Sequence, residues 1–109
     1  MNLNKLLPLT ETTFYIMLSL LEPAHGYIIM QKVESLSEQK VRIAAGTLYG
    51  ALENLSGQKL IQEVPNDDRR RRVYVLTDKG RNLLRLEIER LKHLVVVAER
   101  LIPEGGQPQ

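Results

Sequence analysis

The chain has 109 residues, 43% of them hydrophobic, and no cysteine. This is enough for one modest core and argues against wholesale disorder, while it excludes disulfides, thiolate metal sites and thiol nucleophiles. The formal net charge is only +2, but its distribution says more than its sum. Up to Ser56 the cations Lys5, Lys32, Lys40 and Arg42 are outweighed by Glu11, Glu22, Glu34, Glu38 and Glu53; the positive excess follows, densest at Arg69-Arg70-Arg71-Arg72. Met1–Pro8 lacks the apolar stretch of a signal peptide, and the apolar run Phe14–Leu21, bracketed by Glu11 and Glu22, is too short to span a bilayer. The expectation is a cytoplasmic protein with no membrane partner.

Thr10 is a suitable N-cap, with Glu11 in the first turn, for a helix running to about Leu21 and stopped by Pro23. Apolar residues cover nearly every face of it, which predicts burial almost all round. A second helix is expected from Gly26 to Ser37, its stripe formed by Ile29, Met30, Val33 and Leu36. A third is expected over roughly Ala44–Gly57. Leu48, Ala51, Leu52 and Leu55 point inward, Thr47, Gly50 and Asn54 outward, Tyr49 and Glu53 lie on the flanks, and Gly57 is the expected C-cap. Leu60–Val64 and Val73–Leu76 read as the strands of a β-hairpin whose tip holds the four arginines. Thr77 and Asp78 cap a last helix reaching about Leu101. Leu84, Ile88, Leu91, Val95, Ala98 and Ile102 form a four-three seam along it, of the kind that joins helices in a coiled coil. Residues 103–109 have the composition of a disordered tail.

The predicted fold class is mainly α with a small β-hairpin (α+β): a winged helix-turn-helix with a long C-terminal dimerisation helix. Residues 1–78 form the winged part and residues 79–102 the dimerisation helix.

Three segments carry a resemblance to a known family. They are His25-Gly26-Tyr27, the run Gly46-Thr47-Leu48-Tyr49-Gly50-Ala51-Leu52, and Arg70-Arg71-Arg72-Val73-Tyr74-Val75-Leu76-Thr77-Asp78-Lys79-Gly80. In this order and spacing the chain resembles the PadR family of transcriptional regulators, in its short single-domain form, from Leu9 to about Leu101. The resemblance implies a DNA-binding repressor that acts as a homodimer on a palindromic operator. It also implies a small-molecule effector site between the subunits, which the sequence describes only as apolar. Ile28 stands where members of that family usually have Glu, and Glu53 and Asn54 where they often have Lys or Arg, so no DNA sequence carries over.

On this reading Thr47, Gly50 and Asn54 approach the major groove, where an Asn amide pairs with adenine. Tyr49 reaches a phosphate with its hydroxyl. Arg69, Arg70, Arg71 and Arg72 contact phosphates and the minor groove, with Lys40 and Arg42 as further phosphate contacts. His25 and His93 have no neighbouring ligand pattern, so no metal is expected, and His25 is read as hydrogen-bonding near a helix start. Nucleophile and base are nowhere spaced for catalysis, so neither an enzyme nor a cofactor is expected. The competing reading is a winged-helix module that binds another protein without DNA. Glu53 and the modest net charge favour it; the four arginines oppose it.

Overall fold

The computed structural model describes residues 2–68 and 70–103. Arg69 and residues 104–109 of the expected tail lie outside the described residues. The order is a 3-10 turn (Leu3–Leu6), α1 (Glu11–Ser19), β1 (Ala24–His25), α2 (Gly26–Leu36), α3 (Ala45–Gly57), β2 (Ile61–Val64), β3 (Val73–Leu76) and α4 (Asp78–Leu101). The strands form one antiparallel sheet in the order β1-β3-β2. Three helices, a hairpin and this short third strand make a winged helix-turn-helix, from which α4 projects.

α1 and α4 start where a threonine hydroxyl meets a free backbone amide. Thr10 Oγ1 accepts from the Thr13 amide at 3.1 Å, and Thr77 Oγ1 from the Gly80 amide at 3.0 Å. His25 precedes α2 without a side-chain cap bond, contrary to expectation; its backbone pairs with Val73 instead. The core runs through Ile16, Met17, Ile29, Val33, Leu48, Leu52, Leu60 and Leu83, all within 1% of complete burial.

Several boundaries and faces differ from the sequence reading. α1 ends at Ser19, short of Leu21, because the Leu20 carbonyl accepts from the Leu76 amide at 2.8 Å at the end of β3. Nor is α1 buried all round: Phe14 and Tyr15 are half-buried beside α4, and Leu21 is exposed. Leu36, expected in the core stripe of α2, is 50% exposed, since the last turn of α2 outruns the core. Gly57 is the last residue of α3 rather than its cap. The left-handed position falls on Lys59 (φ 63°), which lets the Leu60 amide reach the Leu55 carbonyl.

α4 divides into two halves. Its first turns lie against the core, where a Cβ on Gly80 would collide with the Leu60 carbonyl. Leu83, Leu84 and Glu87 are buried there. From Leu91 onward every described residue is exposed, Leu101 to 81%. Leu84 was expected in the intersubunit seam; it belongs to the chain's own core, and the uncovered seam begins at Ile88. No helix among the described residues is long and apolar enough to cross a membrane.

Candidate nucleic-acid interface

α3 presents its outer face as bare backbone. Leu48, Leu52 and Leu55 anchor the inner face. At 100° per residue, Gly46, Gly50 and Gly57 fall opposite them. A Cβ added at any of the three would meet no atom within 4 Å. Glycine in a helix interior costs about 1 kcal/mol against alanine. No close neighbour in the fold explains that cost, so a face without side chains suits something that must approach the backbone closely. Thr47 and Asn54 are exposed on one flank of this face. Asn54 lines a recess shared with Thr10 and Thr13 at the start of α1.

Tyr49 and Glu53 occupy the other flank. Tyr49 is 57% exposed, yet its hydroxyl lies over Gly26, where a Cβ would sit 2.8 Å away. A side chain at the first residue of α2 would push the Tyr49 hydroxyl aside. The phenol thus stands at the N-terminus of α2. Tyr27, named in the sequence only as part of the His25-Gly26-Tyr27 segment, is 63% exposed. Glu53 is exposed and, with Tyr49, Ser56, Arg72 and Tyr74, lines a recess of about 360 Å³ that joins α3 to the hairpin.

The hairpin tip is braced by its own side chains. Asn66 Oδ1 accepts from the Asp68 amide at 2.8 Å, and Asp68 Oδ1 from the Arg70 amide at 2.9 Å. Asn66 Nδ2 donates to the Arg71 carbonyl at 2.9 Å. The arginines on this frame are not equivalent. Arg72 donates from Nη2 and Nε to Glu63 Oε1 at 2.7 and 3.2 Å, and its guanidinium lies 5.7 Å from the Tyr74 ring centroid. That hydrogen bond holds the Glu63 carboxyl below its usual range and pushes the Arg72 guanidinium higher still. Burial raises the Tyr74 phenol. Arg71 Nε stands 3.6 Å from Asp68. Arg70 is exposed, and among the described residues its side chain has no ion pair. Ahead of α3, Arg42 pairs with Glu34 at 3.3 Å and Lys40 is exposed. The structure thus brings Tyr49 and Arg72 to one recess, while Lys40, Arg42 and Asn54 stand apart from it.

A second feature connects α4 to the start of the domain. The Glu87 side chain is 1% exposed as a residue and accepts from the Leu9 amide at 2.8 Å and from both Nε and Nη2 of Arg90. The Arg90 hydrogen bonds, helped by the Leu9 amide and opposed by burial, keep its carboxyl below the usual range. Leu9, Glu11, Phe14, Tyr15, Glu87, Arg90 and Leu91 line a groove of about 340 Å³ between α1 and α4. Among the described residues no group of histidines and carboxylates converges as a metal site.

Residues 14–86 match the transcriptional regulator PadR-like family. This chain belongs to that family. A PadR family transcriptional regulator from Eggerthella lenta DSM 2243 superposes with a TM-score of 0.68 at 26% identity, over 84% of this chain and 81% of that one. Bordetella bronchiseptica BpsR superposes with a TM-score of 0.66 at 20% identity, over 95% of this chain and 74% of that one, and at that identity shows the fold alone. A curated relative, the uncharacterised 37.1 kDa protein in transposon Tn4556 of Streptomyces fradiae, is 36% identical over 72 residues, 66% of this chain. The chain covers only 20% of that relative's length. The PadR-like family and its fold are those of transcriptional regulators rather than enzymes.

Proposed function

We propose that this PadR-like protein is a cytoplasmic repressor that binds a palindromic operator as a homodimer, with the winged part on the DNA and the last helix, from Ile88 to its C-cap Ile102, between the protomers. One observation carries the DNA reading. The recess lined by Tyr49, Glu53, Ser56, Arg72 and Tyr74 makes the bare face of α3 and the basic hairpin parts of one surface. On that surface α3 enters the major groove with Thr47, Gly50 and Asn54 toward base edges. Tyr49, Lys40, Arg42 and the wing arginines, Arg69 included, address the backbone. Arg70 is the most available of the described wing arginines, since Arg71 and Arg72 already share their charge with Asp68 and Glu63.

The dimer reading rests on the continuity of one apolar stripe. Leu83, Leu84 and Glu87 turn it toward the chain's own core, and Ile88, Leu91, Val95, Ala98 and Ile102 continue it with no covering in a single chain. A second α4 supplies the missing half of that contact. The α1–α4 groove, with Phe14, Tyr15 and Leu91 in its walls, borders this seam and supports a site for a small, largely apolar effector. DNA binding by the Bordetella protein is regulated by 6-hydroxynicotinic acid.

Genome-wide footprinting with the purified protein tests the reading. The expected result is an inverted repeat whose half-sites lie about 34 Å, or ~10 base pairs, apart or a multiple of it. Failure to bind any DNA at low salt rejects the reading in favour of a protein-binding module. The Glu53 carboxylate, and an α3 without Lys or Arg, are the observations on that side.

A further inference from the structure

α3, from Ala45 to Gly57, contains no Lys and no Arg. Guanine shows two acceptors in the major groove, N7 and O6, and is read by a cationic fork that this helix lacks. Cytosine and adenine show amino donors, which call for an acceptor on the protein. The outer face of α3 is empty of side chains at Gly46, Gly50 and Gly57, so the side chains that extend beyond it stand on its flanks. Asn54 leans toward the start of α1, and Glu53 toward the wing.

Glu53 reaches further than Asn54 and is purely an acceptor when ionised. In its own recess the nearby guanidinium of Arg72 is taken by Glu63, at 2.7 Å. Among the described residues the Glu53 side chain makes no hydrogen bond or ion pair. A carboxylate on a DNA-facing helix is repelled by phosphate and by the acceptor atoms of guanine and thymine. Adenine sets its amino group beside N7, a further acceptor, whereas the N4 amino group of cytosine is the one polar group that base presents there.

We infer that Glu53 is a specificity-determining residue whose carboxylate accepts a hydrogen bond from the N4 amino group of one cytosine in each operator half-site. The inference rests on the DNA-binding reading above and assigns its chemistry at one position. A charge that weakens binding to the backbone at large becomes a means of refusing sites that lack this cytosine.

The test selects preferred duplexes from a randomised library with the unmodified protein, Glu53→Ala and Glu53→Gln. The unmodified protein yields one invariant cytosine per half-site. Glu53→Ala loses the preference at that position alone, and Glu53→Gln accepts adenine there, because glutamine pairs with adenine N6 and N7. Replacing that cytosine by 2-pyrimidinone, which lacks the amino group, then weakens the unmodified protein by about 5- to 150-fold and leaves Glu53→Ala unaffected. An unchanged consensus for Glu53→Ala, or a uniform tightening on all DNA, overturns the inference while leaving DNA binding intact. An unmodified protein that selects no duplex overturns both together.

Discussion

Gly50→Ala separates what the fold needs from what the partner needs. Gly50 lies in the middle of α3, its φ is not in the left-handed region, and an added Cβ would meet no atom within 4 Å. Alanine is favoured over glycine in a helix interior by about 0.8–1.0 kcal/mol. About 0.4–1 kcal/mol is the usual gain from stiffening the unfolded chain at a compatible site. For a chain of this size the melting temperature should rise by roughly 4 °C. DNA affinity should move the other way. A methyl group forced into a close contact costs about 1–3 kcal/mol, which corresponds to a loss of roughly 5- to 150-fold. Urea melts give the first quantity, and anisotropy titrations of a labelled operator give the second. A more stable protein with unchanged affinity would show that nothing approaches this face. A less stable one would refute the open space assigned around Gly50.

Lys59→Gly should stabilise the fold by about 0.5–1 kcal/mol in urea melts, because glycine adopts the left-handed φ of 63° without steric cost; a loss of stability would show that the lysine stem contributes more than the strain removes. Glu87→Gln should cost about 1–2 kcal/mol at neutral pH, discounted for the partly exposed Arg90. The Glu87 carboxyl is lowered from 4.5 in the folded chain, so its contribution is complete above that pH and is lost as pH falls through the lower folded value. The gap between the two proteins should therefore close in acid, and a gap independent of pH would refute the assignment. Leu91→Asp, at a position 39% exposed in a single chain, should leave the fold intact and convert dimers to monomers in light scattering, since an unpaired ion in an apolar contact costs several kcal/mol. Unchanged mass at micromolar concentration would remove Leu91 from the seam.

The elements that the sequence announced are those with their own periodicity. α2, α3 and α4 begin and end within about a residue of the expected bounds, because caps and apolar spacing are local properties. What escaped depends on partners remote in the chain. β1 is two residues long and exists only because Ala24 meets Tyr74 across the sheet. Glu87 reads as one polar residue beside an apolar seam, and its partner, the Leu9 amide, is 78 residues away. The seam itself was legible, but where the core stops covering it was not, so Leu84 was assigned to the wrong contact. In the candidate site, composition located the arginines; the ion pair of Arg72 with Glu63 became visible only through the hairpin register, which sets Glu63 opposite Tyr74.

The same contacts connect the last helix to the helix that the proposed function places on DNA. The first turn of α4 is fastened to the end of α3: Thr77 Oγ1 donates to the Lys59 carbonyl at 2.8 Å, Lys79 Nζ to the Gln58 carbonyl at 2.7 Å, and Gly80 lies hard against Leu60. About two turns later, Glu87 fastens α4 to the start of α1 through Leu9. α4 is therefore tied both to the end of α3 and to the start of α1, which meet in the recess lined by Thr10, Asn54, Gln58 and Leu60. In a dimer joined by α4, the distance between the two α3 helices is set by the crossing of the two arms. Under the proposed function, a molecule bound in the α1–α4 groove would act at the Glu87 attachment, since Glu87 lines that groove. It needs to shift that crossing only slightly to move the two α3 helices out of register with successive major grooves, because both must fit one fixed DNA repeat.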